Sequence, residues 1–532
     1  MSLSSLRSDF VTFMHKNSPQ PECRHLWPFK FLWPNSPRMT LTPTLLLGII
    51  LAYFAVLILV AYLTGRNSDS ADFFVAGRQS PWPLVAFGMI GASLSGVTFI
   101  SIPGVVGAEG YNQAFSYMQM VFGYLAGYAV IATVLLPLYY RLQLTSIYEY
   151  LGQRFGPVSY RTGAGFFLLS RTVGAAFRLY LVAIVLQAFV LGPLGMPFWG
   201  TVAATILLIW VYTFQGGIKT IVYTDTLQTL CMLTAVVLTI AAIKDSFGWG
   251  WGEMVTEVAD GPYGQLFFFE DGWSDPNNFF KQFVSGALIA LVMTGLDQDM
   301  MQKNLSCRSL GDAQKNMLSF SIVLIFANLL FLALGALLYL YAADAGIAIP
   351  QKTDQLYPLL ALENFSPLVG IVFVLGLIAA AYSSADSALT SLTTSFCVDF
   401  LGFEDKRKTI PHRKRTRMLV HVGFSITLLF VILLFNAIGN DAVINRLFVW
   451  AGYTYGPLLG LFAFGILTKR TIRDSLAIAV CLVAPVLSYW LNENDLFLNF
   501  QLGSLVILLN GVFTFLGLWL ISRAPTPEGS NP

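Results

Sequence analysis

The chain has 532 residues, of which 56% are hydrophobic and only 11% are charged, against roughly 25% charged residues in soluble domains. This composition excludes a soluble enzyme or binding module and indicates an integral membrane protein with essentially one membrane domain. The five cysteines lack CxxC or HxxC spacing and the four histidines avoid the middle of the apolar segments, so neither a disulfide framework nor a haem or zinc centre is indicated. The formal net charge of +2 carries no information about partners, because the charges are sorted by side of the membrane.

The N-terminal 38 residues differ from the rest of the chain. Residues 1–38 are polar and rich in proline, and they match neither a signal peptide nor a foldable domain, so we expect a non-native or disordered extension. From Met39 onward we count thirteen apolar segments that are long enough to span a bilayer. They lie at about 42–63, 81–107, 115–138, 160–190, 196–214, 224–243, 278–300, 318–343, 364–398, 418–437, 445–467, 475–491 and 500–522.

The basic residues between these segments are strongly biased toward one side of the membrane. Twenty Lys and Arg residues fall on one side and three on the other. The positive-inside rule makes the crowded side cytoplasmic. We therefore predict a multi-pass protein of the cell (inner) membrane with its N-terminus outside and its C-terminus in the cytoplasm. The basic run at 406–417 is interpreted as a topology determinant rather than a nucleic-acid site.

Glycine and proline interrupt the second and the seventh segment. The second is interrupted by Gly91, Gly96, Pro103 and Gly104, and the seventh contains Gly286 and Gly295. Interrupted helices in corresponding places of two halves indicate a transporter built from inverted repeats. Because the two segments lie five spans apart, the second copy must be inverted relative to the first. The alternative is that these glycines only allow close helix packing.

The resulting fold prediction is an all-α integral membrane protein with about thirteen transmembrane helices. Its core consists of two inverted five-helix repeats, each with a broken first helix. The predicted division is a peripheral first helix at 39–66, repeat 1 at 81–243, an outer loop at 244–277, repeat 2 at 278–467, and two peripheral helices with a cytoplasmic tail at 475–532.

The ninth segment carries an unusual load of polar residues within 376–400, GLIAAAYSSADSALTSLTTSFCVDF. Asp386 stands in its middle. Asp386 and Ser387 follow Ser383 by three and four positions, so their oxygens lie on adjoining faces of one helix. An ionisable group at membrane depth is costly unless it faces protein, water or an ion. Such oxygens suit a small hard cation. The alternative is close packing of small residues whose hydroxyls bond back to the backbone.

The first candidate cation site combines the ninth segment with the interrupted second segment. A broken helix leaves carbonyl oxygens without their usual partners, and such carbonyls coordinate sodium in other transporters. Neutral oxygens suffice for a monovalent ion. We predict a sodium site from the carbonyls of Gly91, Leu94 and Ala380 and the hydroxyls of Ser383 and Ser384.

The second candidate site starts from Asp225 at the cytoplasmic end of the sixth segment. With Ser383, Asp386 and Ser387 it would form a charged site for another cation, or a proton-binding pair. The alternative is that Asp225 only begins a helix, where a carboxylate favours the helix dipole and Thr224 caps the end. The sequence leaves both interpretations open.

Two arginines within the fourth segment are candidates for solute binding. Arg171 and Arg178 lie seven positions apart and hence on one helix face. A buried guanidinium must find an anion or carbonyl groups. One of them could hold the carboxylate of a solute, or Arg171 could bind an acidic neighbour.

Four stretches together resemble the sodium:solute symporter family over about 45–470: AGRQSPWPLVAFGMIGASLSGVTFISIPG, GGIKTIVYTDTLQ, GLDQDMMQKNLSCRSLGDAQKN and AAAYSSADSALTS. The resemblance implies alternating access and solute uptake driven by the sodium gradient, with no enzymatic activity. It also implies that the two candidate sites bind sodium. Asp386 stands where some two-sodium members have serine, so one or two ions per cycle are possible.

The resemblance carries less information about the solute. Sugar symporters of the family have amide and acid side chains in the broken first repeat helix, and proline symporters have an aspartate where Ser93 stands. The hydroxyls of Ser93, Ser95 and Thr98 look closer to members that carry organic anions such as sialic acid or monocarboxylates. We therefore expect an anionic solute, with sodium ions and the bilayer as the other partners and no nucleic acid or obligate protein partner. The alternatives are a neutral sugar or amino acid, or proton coupling; a sodium sensor is disfavoured because no signalling domain follows Arg523.

Overall fold

The computed structural model describes residues 42–65, 74–108, 110, 113–213, 217–270, 272–403, 412–438, 443–494 and 502–524. The predicted extension 1–38 and the first half of the basic run, 406–411, lie outside these residues. Within them the chain is almost entirely helical, as predicted, and two short strands, β1 (Thr471–Ile472) and β2 (Ser522–Arg523), pair antiparallel.

Helices make up most of the described residues. In chain order they are α1 (Pro43–Gly65), α2 (Trp82–Ser93), α3 (Gly96–Val105), α4 (Tyr117–Arg141), α5 (Glu149–Arg154), α6 (Pro157–Leu191), α7 (Phe198–Thr213), α8 (Gly217–Phe247), α9 (Trp251–Asp260), α10 (Phe279–Gly295), α11 (Gln298–Leu305), α12 (Leu310–Asp344), α13 (Leu356–Leu359), α14 (Pro367–Phe400), α15 (Arg413–Ile438), α16 (Val443–Leu467), α17 (Asp474–Glu493) and α18 (Val506–Leu520).

Half of these helices reach membrane-spanning length on their own. Among the described residues, nine helices are long and apolar enough to cross a membrane, and the bent pairs α2 with α3 and α10 with α11 raise the number to eleven. Helix α7 and the Gly452–Leu467 part of α16 are apolar but shorter. All thirteen predicted segments therefore coincide with helices, but the count of thirteen spans is not confirmed.

The second and the seventh predicted segment are both broken helices. Helices α2 and α3 meet at 56°, and α10 and α11 meet at 63°. The first break lies at Leu94 and Ser95, where Ser95 has an extended backbone. Pro103 lies inside α3 and Gly286 inside α10, so neither residue causes a break. Two other predicted glycines do lie at the breaks, because Gly96 begins α3 and Gly295 ends α10.

Gly286 has a packing role instead, at the crossing of α4 and α10. A Cβ atom added to Gly286 would lie 2.0 Å from the carbonyl oxygen of Met120, and one added to Gly123 would lie 2.0 Å from that of Phe283. The two backbones therefore approach as closely as only glycine allows. Here the alternative interpretation, that membrane glycines permit packing, is correct.

Replacing Gly286 by alanine is expected to destabilise the folded protein by about 1–3 kcal/mol, because the added methyl group meets backbone rather than a mobile side chain. The melting temperature of the purified protein in detergent measures this. The matched control is Gly48→Ala in α1, where nothing lies within 4 Å of the added atom. A Gly286→Ala variant that melts like the Gly48→Ala variant would contradict the close crossing.

Helix α14, which carries the polar stretch, is the most enclosed span. Of its apolar window 78% is buried, against 22% to 61% in the other eight long helices. It packs on α6, α8, α2 and α3. Its serine and aspartate side chains therefore face protein, which is the condition under which a bilayer tolerates them.

Candidate functional site

The break between α2 and α3 leaves backbone carbonyl groups without their helical hydrogen-bond partners, and serine side chains of α14 contact them. In an unbroken helix, the carbonyls of Gly91 and Ala92 would accept from residues four positions later. Here Ser383 Oγ donates to Gly91 O at 2.8 Å, and Ser384 Oγ lies 3.3 Å from Ala92 O. Ser383 Oγ also lies 3.3 Å from Ala380 O. A set of neutral oxygens from two helices thus meets at the break.

Three of the five residues predicted for the first cation site, Gly91, Ala380 and Ser383, are joined by these hydrogen bonds. Ser384 bonds to Ala92 instead, and Leu94 lies at the break and is 2% exposed. The carbonyl of Ala92 was missed by sequence reasoning. Only the direction of the serine side chains, which depends on how α14 packs, shows that Ala92 takes part.

Glycine at position 91 is required by the approach of α8. A Cβ atom at Gly91 would lie 2.2 Å from Thr229 Oγ1 and 3.3 Å from the carbonyl oxygen of Asp225. Thr229 Oγ1 lies 3.2 Å from Phe87 O and 2.7 Å from Asp225 O. Helix α2 therefore lies directly against the turn of α8 that carries Asp225.

Asp225 lies inside α8 rather than at its start. The helix begins at Gly217, eight residues earlier, and the Thr224 hydroxyl bonds back to carbonyls of its own helix, so the helix-start interpretation of Asp225 is wrong. The carboxylate is fully buried. Its Oδ2 accepts from Lys303 Nζ at 2.6 Å and lies 3.4 Å from Ser387 Oγ, and its Oδ1 has no hydrogen-bond partner among the described residues.

Asp386 is a second fully buried carboxylate close to Asp225 and Lys303. Its Oδ2 accepts from the Tyr212 hydroxyl at 2.9 Å, and its Oδ1 accepts from the backbone N–H of Ser387 at 2.5 Å. The structure therefore brings Asp225, Asp386 and Ser387 together as predicted. The Ser383 hydroxyl is directed toward the break in the neighbouring helix.

Lys303 is the residue of this cluster that sequence reasoning misplaced. Lys303 is one of the twenty basic residues that we counted on the cytoplasmic side, but it lies in α11 and its side chain is only 1% exposed. The residues around it in the sequence are polar, as they are at the end of a membrane helix. The one available signal was that two buried carboxylates, Asp225 and Asp386, need a cation.

A cavity of about 80 Å³ lies beside the α2–α3 break. Such a volume holds several water molecules, but it is smaller than the roughly 300–1,000 Å³ of pockets that enclose organic ligands. Binding an organic solute therefore requires that lining side chains shift. All five predicted solute residues line this cavity, namely Ser93, Ser95, Thr98, Arg171 and Arg178.

The two arginines differ in their partners. Arg171 forms a buried salt bridge with Asp299 at the start of α11. Asp297, which caps α11, accepts from the backbone N–H of Asp299 at 2.9 Å and from the Tyr455 hydroxyl at 2.6 Å. Arg178 lies in no ion pair among the described residues, and its buried Nε has no hydrogen-bond partner there. Arg178 is thus the arginine available to an anion.

Aromatic and amide groups complete the cavity wall. Tyr117 and Tyr124 share a hydrogen bond between their hydroxyls at 2.9 Å, and Tyr128, Thr294 and Asn328 lie nearby. Sequence reasoning named none of these residues. Tyrosines are common in membrane helices, so only their convergence on one cavity distinguishes them.

Comparison with known proteins identifies the family. The model described as the sodium:solute symporter family matches residues 73–478. The chain belongs to this family. The resemblance in the four sequence stretches is thereby confirmed, and the protein is a transporter rather than an enzyme. Sodium is its co-transported ion, and a small solute is its cargo.

Curated relatives of this symporter match along most of their length. The chain is 24% identical over 474 residues to the sodium/sialic acid symporter NanT of Aliivibrio fischeri. The aligned part is 86% of this chain and 90% of that protein. It is 25% identical to the sodium/sialic acid symporter SiaT of Proteus mirabilis, covering 88% and 94%. It is 27% identical to the sodium-coupled monocarboxylate transporter 2 of Bos taurus, covering 80% and 68%.

A solved structure confirms the fold of the symporter. The substrate-bound outward-open structure of a Na⁺-coupled sialic acid symporter superposes with a TM-score of 0.74 at 21% identity and covers 90% of this chain and 98% of that one. The prediction of a helical membrane fold with inverted five-helix repeats and broken first helices is therefore confirmed. The symporter is a multi-pass protein of the cell membrane.

Proposed function

We propose that the protein takes up a small organic anion with a carboxylate group, driven by the sodium gradient. The observation that carries this proposal is the position of Arg178. This arginine lies without an acidic partner among the described residues, in a buried cavity beside the freed carbonyls of the α2–α3 break. The relatives named above transport sialic acid and monocarboxylates, which are solutes of this kind.

The proposed first sodium site consists of the carbonyls of Gly91, Leu94 and Ala380 with the hydroxyls of Ser383 and Ser384. The hydrogen bond from Ser383 to Gly91 supports it, and so does the one from Ser384 to the neighbouring Ala92, because each hydroxyl already lies against a carbonyl beside the break. An ion placed among them would join the broken helix to α14. The proposed second site consists of Asp225, Ser383, Asp386 and Ser387.

In the proposed cycle, sodium from outside connects α2 and α3 with α14 and thereby stabilises the outward-open state. The solute then binds beside the same break, with its carboxylate at Arg178 and its polar groups at Ser93, Ser95 and Thr98. Arg171 lines the cavity and holds the α10–α11 break through Asp299. Sodium and solute must raise each other's affinity by the same factor, since binding free energies are reciprocal.

The proposed orientation follows from the basic residues. We place the N-terminus outside and the C-terminus in the cytoplasm, with repeat 1 at 81–243 and repeat 2 at 278–467, joined by the outer loop 244–277. Helix α1 and the two helices after 475 are peripheral in this arrangement. The orientation is tested with single cysteines introduced into the outer loop 244–277. A reagent outside intact cells should label them.

The decisive experiment is uptake by the full-length protein in liposomes. An inward sodium gradient is imposed, and labelled sialic acid, lactate, glucose and proline are supplied in turn. We expect sodium-dependent uptake of a carboxylate sugar acid or a monocarboxylate. Sodium-dependent uptake of glucose alone would refute the anionic solute but keep the symporter. Uptake that follows pH and ignores sodium would favour proton coupling instead.

Ser384→Ala is expected to raise the sodium concentration for half-maximal uptake by about tenfold, because losing one hydroxyl ligand removes about 1–2 kcal/mol. The matched control is Ser391→Ala on the same helix. Ser391 is equally buried, but its hydroxyl bonds to Ala388 of its own helix at 3.0 Å. Equal sodium activation in the two variants would remove Ser384 from the site.

A further inference from the structure

A wide groove opens on the surface of the helix bundle, where α4 and α16 end. Its volume is about 710 Å³, which lies within the roughly 300–1,000 Å³ of pockets that hold organic ligands. None of the residues that line it lines the smaller cavity beside the α2–α3 break. We call it the α4–α16 groove. Its lining contains three basic residues, Arg141, Arg154 and Lys469, and no acidic one.

The α4–α16 groove has a charged end and an apolar end. Arg141 is the last residue of α4 and Lys469 follows the end of α16, so both charges stand where membrane helices reach the interface. Val134 precedes Arg141 by seven residues, which is about 10 Å along the helix, and its side chain is 41% exposed. Leu138 and Ile466 line the interval. The groove therefore fits a molecule with an anionic head and a hydrocarbon chain.

The basic residues at the charged end differ in their partners. Arg154 donates to three backbone carbonyls at and just beyond the end of α16, at distances of 2.8–3.2 Å. The neighbouring Arg470 stacks on Trp519, with its Cζ 4.6 Å from the ring centroid. In contrast, Arg141 and Lys469 are exposed and form neither a hydrogen bond nor an ion pair with any described residue. Two positive charges at the rim of the groove are thus available to an anion.

A hydroxyl group lies beside these charges. Tyr150 lines the groove within electrostatic range of Arg154 and Arg141, and its ring centroid lies 5.6 Å from that of Phe462. Its hydroxyl forms no hydrogen bond with a described residue. Guanidinium, ammonium and hydroxyl groups are donors that bind phosphate oxygen atoms. The charged end of the groove therefore suits a phosphate group.

We propose that the α4–α16 groove binds one anionic phospholipid, with its phosphate at Arg141 and Lys469 and an acyl chain along Val134. Basic pockets between membrane helices on the cytoplasmic side are suited to such headgroups, and the cytoplasmic leaflet is rich in anionic lipid. The proposed orientation of the protein places the groove on that side. Because α4 packs mainly on α10 and α16 on α18, the lipid connects two helices that otherwise have different neighbours. The identity of the transported solute does not enter this inference.

The test is native mass spectrometry of the purified full-length protein in non-ionic detergent. The probes are phosphatidylglycerol and phosphatidylcholine with identical oleoyl chains. We expect the wild type to prefer phosphatidylglycerol by about tenfold to thirtyfold, since two basic residues contact its headgroup. Arg141→Gln/Lys469→Gln should lose this preference. The matched control, Lys414→Gln/Arg415→Gln, removes two exposed charges from the start of α15 and should keep it.

Two further measurements distinguish a lipid from a soluble anion. Val134→Trp fills the apolar end of the groove. Because Val134 is exposed, the larger side chain needs no change in the core, and we expect weaker binding of both lipids at an unchanged melting temperature. Glycerol 3-phosphate, which carries the phosphate without acyl chains, should not displace phosphatidylglycerol at the same concentration. Melting curves of all variants in detergent identify molecules that remain folded.

Four outcomes would overturn the proposal. An undiminished preference for phosphatidylglycerol in folded Arg141→Gln/Lys469→Gln would place the headgroup elsewhere. An equal loss in the α15 control would make the attraction a general property of the charged surface. Unchanged binding by Val134→Trp would remove the acyl chain from the groove. Displacement by glycerol 3-phosphate would assign the basic end to a soluble phosphate compound. Each of these results would leave the proposed sodium-driven uptake untouched.

Discussion

Arg171→Met is expected to lower the free energy of unfolding by about 3–5 kcal/mol, a larger loss than the one expected for Gly286→Ala. The Arg171 and Asp299 side chains are 4% and 0% exposed, so methionine leaves an uncompensated carboxylate in the membrane domain. Asp299 lies in the first turn of α11, immediately after the break. The substitution should therefore mainly disturb the position of α11 relative to α6.

The melting temperature in detergent measures this loss. The double variant Arg171→Met/Asp299→Asn should recover most of it, because the remaining amide carries no charge. The matched control is Arg161→Met on the same helix, where the side chain is exposed and a change within about 0.5 kcal/mol is expected. An Arg171→Met protein that melts like the control would mean that the buried pair adds nothing to stability.

Arg178→Ala is expected to reduce uptake of a carboxylate solute by about 30-fold to 1,000-fold, which corresponds to about 2–4 kcal/mol for the loss of a buried charge partner. The protein itself should remain folded, because Arg178 forms no ion pair with any described residue that would then be left unpaired. Initial rates of sodium-driven uptake in liposomes measure the effect.

Two further measurements separate solute binding from other roles of Arg178. Arg178→Lys keeps the charge but loses the planar pair of donors, so it should retain part of the uptake, mainly with a raised KM. Sodium binding without solute should be unchanged in both variants. Normal uptake by Arg178→Ala would place the anion elsewhere, and loss of sodium binding would assign Arg178 a structural role.

Arg171 and Arg178 also show what the sequence alone does not reveal about a buried charge. Their spacing of seven placed them correctly on one helix face, and both line the same cavity. Spacing within one helix cannot reveal that Asp299, 128 residues away, pairs with one arginine and not with the other. The two residues looked equivalent until the position of α11 was known.

Local properties of the chain determined much of the architecture. Apolar length identifies spans because a bilayer has a fixed thickness, and the density of serine and aspartate in α14 marked it as enclosed, since lipid does not tolerate such residues. Glycine and proline identified the two broken helices. The four family stretches identified the kind of transporter, because each lies within a continuous part of the chain.

Only the tertiary structure showed which charged side chains pair and how the helices pack around the site. The backbone breaks at Leu94 and Ser95 rather than at Pro103, and Gly286 serves a helix crossing. Lys303 lies against Asp225 across 78 residues of sequence, although the sequence suggested a cytoplasmic loop charge. The physical reason is that a charged side chain can be buried only where partners on other helices compensate its charge. Periodicity within one helix determines which face a residue occupies, and packing determines what that face meets.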